Sequence, residues 1–196
     1  MSMKRNLAAA ILALTWATAA VAQSDSQSQD ARFRAAMQTQ QNYDRDIAVQ
    51  EAQRAFRESL EQAKAAYARH DYATARRLWQ GAADAGVPFA QFSLGRLCQQ
   101  GLGEPKDMVQ AVKWFHLAAE GKFAPAEFSL GMAYLSGTVE AQNDEAGAKW
   151  IRRAADHGFA QAMFNLGVLY ENGQGVAKDA RVAAEWYRKA ATAGVK

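Results

Sequence analysis

The side chains best suited to acid–base, nucleophilic or metal chemistry in this chain of 196 residues are three histidines and one cysteine. Imidazole and thiol serve such chemistry because they change protonation near neutral pH or supply a soft nucleophile. They need partners at fixed spacing, and that spacing is missing. The chain has no H-E-x-x-H pair for zinc, no G-x-x-x-x-G-K-[ST] loop for phosphate, no C-x-x-C and no serine with lysine three residues on. His70, His116 and His157 fall at different points of the repeat described below, which reads as three surface residues rather than a ligand set. Cys98 stands where its counterparts are aromatic. A buried, inert thiol and an exposed redox or cross-linking thiol are the two readings open to it. No catalytic residue, cofactor or metal site is expected.

Charge excludes a further class. The chain carries 23 basic against 20 acidic side chains, a formal +3. Lys4 and Arg5 precede an apolar run over residues 7–21 that ends in Ala20-Val21-Ala22. A basic start, a short apolar stretch and an A-x-A site are the pattern of a secretory signal peptide, here residues 1–22, cleaved after Ala22. The run is shorter than the ~20 residues of a spanning helix, and no cysteine near the cut offers a lipid anchor. Losing Lys4 and Arg5 lowers the charge from +3 to +1, so neither nucleic acid nor an acidic membrane surface is an expected partner. Arg152-Arg153 and Arg188-Lys189 lie near Asp156 and Glu185 and read as a solvated face. The protein expected is periplasmic or secreted, with no stable membrane anchor. One cysteine allows no internal disulfide, so the fold must be held by its core.

Self-similarity organises that core. Residues 90–125, 126–161 and 162–196 align without a gap. Phe92, Phe128 and Phe164 stand 36 residues apart, as do Leu94-Gly95, Leu130-Gly131 and Leu166-Gly167. The interval returns at Cys98, Tyr134 and Tyr170, at Gly101, Gly137 and Gly173, and at Asp107, Asn143 and Asp179. Trp114, Trp150 and Trp186 close the series, each followed four and five residues on by an alanine pair. A period of this size marks stacked supersecondary units.

Each repeat reads as two helices. Ala90, Leu94, Leu97 and Cys98 share one helical face. The segment Gly101-Leu102-Gly103-Glu104-Pro105 ends that helix, since glycine accepts left-handed backbone and proline lacks an N–H. Asp107, Asn143 and Asp179 stand where the second helix needs an N-cap. Ala111, Trp114, Phe115, Ala118 and Ala119 then turn inward. Gly158 and Gly194 mark the helix end, whereas in the first repeat glycine comes one position early, at Gly121, and Lys122 takes the slot. Gly95, Gly131 and Gly167 lie in mid-helix, where each costs about 1 kcal/mol against alanine; their recurrence predicts the close approach of a neighbouring helix. The fold class expected is all-α, an α-solenoid of stacked helix-turn-helix repeats with a 36-residue period.

Upstream, residues 55–89 read as an atypical first hairpin, with Tyr67 in the tyrosine position and Leu78-Trp79 in the tryptophan position. Residues 23–54 are a polar, glutamine-rich leader. Residues 23–30 contain nothing apolar and are expected to be disordered, while Phe33, Met37, Tyr43 and Ile47 point to a marginal amphipathic helix or short coiled coil. At the far end Val182, Trp186 and Ala190 are expected to lack a covering helix, which makes self-association through them one outcome.

Recognition of a protein or peptide partner is expected on the first helices. At about 100° per residue, Phe92, Arg96, Gln99 and Gln100 lie away from the buried face. Their counterparts are Phe128, Met132, Leu135 and Ser136, then Phe164, Val168, Glu171 and Asn172. On a stacked solenoid that side faces the groove, and its apolar members would make a stripe fit for a peptide or helix. The phenylalanines admit two readings, packing between repeats or groove wall. Arg96, Gln99, Gln100, Met132, Ser136, Val168 and Asn172 differ between repeats and are the candidates for specificity.

The pattern A-x-F-x-L-G-x-x-Y-x-x-G-x-G, followed by D-x-x-x-A-x-x-W-Y-x-x-A-A-x-x-G, resembles the Sel1-like repeat, a relative of the tetratricopeptide repeat. Residues 162–196 carry it most fully, through Leu166-Gly167, Tyr170, Gly173, Gly175 and Trp186-Tyr187. Departures are Cys98 for tyrosine, Val139 for the second loop glycine, Gly147 for alanine and Ile151 for tyrosine, and they predict a softer middle junction. The resemblance implies an α-solenoid adaptor for protein assembly, of a kind often exported in bacteria. It also implies a link to cysteine-rich relatives that bind penicillin-type ligands, whose paired cysteines this chain lacks. A structural, self-associating envelope protein and, behind it, an envelope enzyme or ligand-binding protein are the alternative functions.

Overall fold

The six helices that carry the repeat are all thirteen residues long and recur in strict register. They are α3 (Pro88–Gln100), α4 (Met108–Glu120), α5 (Ala124–Ser136), α6 (Asp144–Asp156), α7 (Ala160–Asn172) and α8 (Ala180–Thr192), preceded by α1 (Ser2–Ala68) and α2 (Tyr72–Asp84). The computed structural model describes the backbone of residues 2–138 and 141–194, and side chains at 29, 32 and from 34 onward within those ranges. No strand occurs among them. First helices start at 88, 124 and 160 and second helices at 108, 144 and 180, so the 36-residue interval of the sequence is the interval of the fold.

Two compact units divide the chain, residues 1–55 and 56–196. The first is the greater part of α1. Its described side chains are almost all exposed, including Met37, Tyr43 and Val49. Polar pairs one turn apart support it locally, Gln38 with Asn42 at 3.2 Å and Gln40 with Asp44 at 2.8 Å. Helical backbone runs through residues 23–30, where the sequence predicts disorder. The composition there withholds an apolar face and still permits a helix. The side chains of the expected signal segment, 1–22, lie outside the described residues, as does Val139. Among the described residues no helix is long and apolar enough to cross a membrane.

In the second unit the helical faces fall as their spacing requires. Ala90, Leu94 and Leu97 are fully buried and Cys98 nearly so, as are Ala126 with Leu130 and Ala162 with Leu166. Each such leucine contributes about 2 kcal/mol by leaving water. The alanine pairs form the seams: Ala82-Ala83 pack with Ala90 and Leu94, Ala118-Ala119 with Ala126 and Leu130, and Ala154-Ala155 with Ala162 and Leu166. Trp186 is 8% exposed, while Trp114 and Trp150 are half-buried against the same clusters. Asp107, Asn143 and Asp179 accept hydrogen bonds from backbone N–H groups of the first turn of α4, α6 and α8, and Asp71 does so for α2.

The mid-helix glycines face the second helix of their own hairpin rather than the next repeat. A Cβ on Gly95 would lie 2.6 Å from Phe115 Cε1, and one on Gly167 2.6 Å from Tyr187 Cε1. On Gly131 it would meet Ile151 Cγ1 at 2.5 Å and the Gly147 carbonyl at 3.0 Å. The smooth residue thus seats the bulky one that follows each tryptophan. The middle hairpin, where Gly147 and Ile151 depart from the pattern, is closely packed. With no Cβ on Gly147, α5 and α6 approach backbone to backbone, and Leu135 fills the space, its Cγ 2.7 Å from where that Cβ would stand.

Lys122 has φ +57, in the left-handed region that Gly86, Gly158 and Gly194 occupy at the other helix ends. Glycine is displaced to Gly121 because Pro88, at the start of α3, leaves no room there; a Cβ on Gly121 would run into Pro88 Cγ. Lys122→Gly is therefore expected to stabilise the fold by about 1 kcal/mol, read as a higher midpoint in urea with unchanged slope. An unchanged or lower midpoint would show that the left-handed lysine carries no strain.

Candidate functional site

Between the first helices α3 and α5 lies a cleft of about 590 Å³. Phe92, Arg96, Gln99 and Gln100 contribute from α3, and Phe128, Met132 and Ser136 from α5. These positions meet because the buried face of each helix points into the seams, which leaves the opposite side toward the cleft. Met108 and Phe115 of α4, with Phe159 and Gln161 near the start of α7, complete the walls. A smaller hollow of about 180 Å³ adjoins it, lined by Lys64 and Tyr67 of α1, Trp79 of α2, and Phe89, Phe92 and Arg96 of α3. Phe92 and Arg96 line both.

Packing and cleft wall turn out to be compatible for the aromatic ladder. Phe92 rests against Phe115 and Phe123, with ring centroids 5.6 and 5.2 Å away, and Phe128 against Phe159 at 5.4 Å. Both rings still present a free edge to the cleft. Met132, 40% exposed, stands beside them without covering.

The remaining nominated positions lie elsewhere. Leu135 turns toward Gly147 and the core of the second and third repeats, because the missing Cβ of Gly147 leaves room for its side chain. Phe164, Val168, Glu171 and Asn172 stay on α7, outside the cleft. Phe164 is 45% exposed and rests on Tyr187, centroids 5.3 Å apart. Val182, Trp186 and Ala190 do not form an open end. Trp186 and Ala190 are buried within the unit, Val182 is half-buried, and Lys189 Nζ lies 3.9 Å over the Trp186 ring.

Tyr187 donates a hydrogen bond to Glu171 Oε2 at 2.6 Å. Burial, and then the Glu171 carboxylate, push its phenol from 10.0 up to about 12. A raised acid favours its neutral form in the fold, so its contribution to stability is intact below pH 10 and is lost as pH climbs toward 12. In a tyrosinate absorbance titration, Glu171→Gln is expected to bring this late-titrating phenol part of the way back toward 10, since burial remains. No movement would assign the whole shift to burial.

The histidines and cysteine form no joint site. His70 Nδ1 meets Tyr72 Oη at 2.6 Å in the turn before α2, and His116 packs edge-on to Trp150 and Tyr134. Cys98 is buried, with Arg76 Nη2 3.7 Å from its sulfur, which excludes the exposed thiol. Among the described residues no cluster of metal-ligating side chains occurs. Of the basic pairs, Arg152 reaches the Tyr170 hydroxyl and Arg153 covers the Trp150 ring at 4.4 Å, while Arg188 and Lys189 lie exposed on α8.

One buried ionic cluster escaped the sequence. Glu127 on α5 is fully buried, with its Oε2 2.7 Å from His157 Nδ1 and its Oε1 3.1 Å from Arg153 Nη2. His157 is therefore a packing partner of that carboxylate rather than a solvated surface side chain. The available signal was positional: counted from Ala90, Gln91 and its counterpart Glu127 fall about 20° from Cys98 and Tyr134, at the border of the buried face.

Stacked α-hairpins joined by alanine seams, with a cleft along their first helices, define an α-solenoid repeat protein. The chain belongs to the Sel1 repeat family: that family's model matches residues 64–87, 88–123, 124–159 and 160–195. The family frame begins two residues before the repeats as aligned above, at the helix starts. A Sel1 repeat protein from Oxalobacter formigenes is 34% identical, with TM-score 0.66 over 69% of this chain and 56% of its own. A protective antigen present in uropathogenic Escherichia coli strains, c5321, is 38% identical, with TM-score 0.59 over 61% of this chain and 26% of its own. The cysteine rich protein B of Helicobacter pylori, at 18% identity and TM-score 0.51 over 70% of this chain and 92% of its own, shares the fold. The chain spans about half the length of the first of these and a quarter of the second. A search of the curated proteins finds no match. Sel1 repeats generally mediate protein–protein interaction and are generally non-catalytic scaffolds.

Proposed function

We propose that this chain is an exported, non-catalytic adaptor that holds a segment of a partner protein in the cleft along α3 and α5. The observation that carries the reading is the exposed, apolar Met132 between the edges of Phe92 and Phe128, in a cleft whose other polar groups are mostly uncharged. Such a surface gains by burial and orders a chain by a few hydrogen bonds. Export rests on the basic start and the Ala20-Val21-Ala22 site. A photo-cross-linking residue at position 132 should trap a partner that the same residue at position 113, an exposed site on α4, does not. Equal yields at both would contradict the cleft. Mass spectrometry of the protein recovered from the cell envelope should find a chain beginning at Gln23; an intact N-terminus would contradict export.

A further inference from the structure

Arg96 is the one charged residue among those lining the large cleft, and it has no ion pair or hydrogen bond among the described residues. No aspartate or glutamate lines the cleft or the smaller hollow. The other basic residue in the lane, Lys64, is engaged by Glu61 at 2.7 Å and lies over the Phe89 ring at 5.1 Å. At the positions equivalent to Arg96 stand Met132 and Val168, so the guanidinium is not part of what the repeat needs to fold.

Its place decides what it is for. Arg96 lines both hollows, with Tyr67, Trp79 and Phe89 on one side and Phe115, Phe128 and Met132 on the other. We infer that the lane recognises a protein segment bearing an aspartate or glutamate side chain between two apolar residues, with the carboxylate on Arg96 and one apolar residue in each hollow. An exposed guanidinium beside apolar hollows, without a carboxylate of its own, pairs with an incoming one through charge-assisted hydrogen bonds. A terminal carboxylate fits less well, because the chain would have to stop at Arg96 and leave one hollow empty. This inference rests on the cleft reading above and adds to it the chemistry of the occupant.

The test is selection from a synthetic library of nonapeptides, acetylated and amidated so that only side chains carry charge, against the full chain. The expected consensus is an acidic residue flanked on both sides by apolar ones. Arg96→Met should weaken the best acidic peptide about tenfold while leaving its glutamine analogue unchanged, and Arg96→Glu should select basic peptides instead. Arg96 is exposed, and equal circular dichroism of the variants would confirm that they fold. Peptides lost on Met132→Glu but showing no acidic enrichment would overturn this inference and leave the cleft reading standing. No peptide sensitive to Met132→Glu would overturn both. In a second library left with free C-termini, tighter binding of peptides with no internal acid would reassign Arg96 to chain ends. A wild-type dimer that Arg96→Glu dissociates in sedimentation would make a second copy the occupant. Either result overturns the inference.

Discussion

A Gly175→Ala variant is expected to lose about 3 kcal/mol or more of folding stability. Two costs coincide there. The backbone has φ +68, which costs an L-residue about 1–2 kcal/mol. A Cβ would also land on the carbonyl of Asp144, at the start of α6 in the preceding repeat, with Ala148 Cβ only 3.0 Å away. Neither neighbour is the end of a flexible side chain. Gln174 ties the same loop down, its Nε2 donating to Asp144 Oδ1 at 3.1 Å. The second loop glycine is thus the point where one repeat rests on the one before, and Gly103 meets Tyr72 in the same way, a Cβ there falling 3.1 Å from Tyr72 Cβ. Gly158 separates the two costs: its φ is +86, but nothing lies within 4 Å of a Cβ there. Gly158→Ala should therefore lose only about 1 kcal/mol. Urea unfolding of both variants checks this, and equal losses would show that the loop does not bear on its neighbour.

The second large effect belongs to Glu127. Its side chain is fully buried, while Arg153 and His157 are 47% and 37% exposed. Removing both partners leaves the carboxylate without a counter-charge, and Arg153→Ala with His157→Ala is expected to cost about 3 kcal/mol. The cost lies in the stranded charge rather than in the worth of the bridges. Adding Glu127→Leu to the pair should then recover most of the loss, since a leucine suits a site flanked by Ala126 and Leu130. Thermal unfolding of the double and triple variants distinguishes the outcomes. A triple variant no more stable than the double would mean that the cluster matters for shape alone.

How much of this was legible beforehand follows from how local each cause is. Helix ends were readable because Asp107, Asn143 and Asp179 act on N–H groups two or three residues away. The alanine seams were readable because the same contact is made once per repeat, and its trace recurs at a constant interval. Lys122 could be singled out because it stands where three other helix ends have glycine, whereas its cause, the Pro88 ring, lies 34 residues earlier and across a seam. Glu127 was missed for a like reason: Gln91 and Met163 at its equivalent positions give no recurring charge, and its partners are 26 and 30 residues away. Leu135 was assigned to the cleft by its angle on the helix. The angle was sound, but the missing side chain of Gly147 drew it inward.

The cleft itself was half legible. Phe92, Arg96, Gln99, Gln100, Phe128, Met132 and Ser136 share it because they share a helical face. Met108, Phe159 and Gln161 join them from the ends of other helices, which no periodicity along α3 or α5 reveals. The third-repeat positions stay outside because the cleft belongs to the pair α3 and α5.

The chain's six methionines offer the most direct test of that cleft as a binding surface. Met108 and Met132 line it, Met163 packs in the core of the last two repeats, and Met37 lies on α1. With methyl-labelled methionine, titrating in the partner segment trapped at position 132 should shift the Met108 and Met132 resonances and leave Met163 and Met37 in place. Shifts at Met37 or Met163 with Met108 and Met132 unmoved would contradict the account.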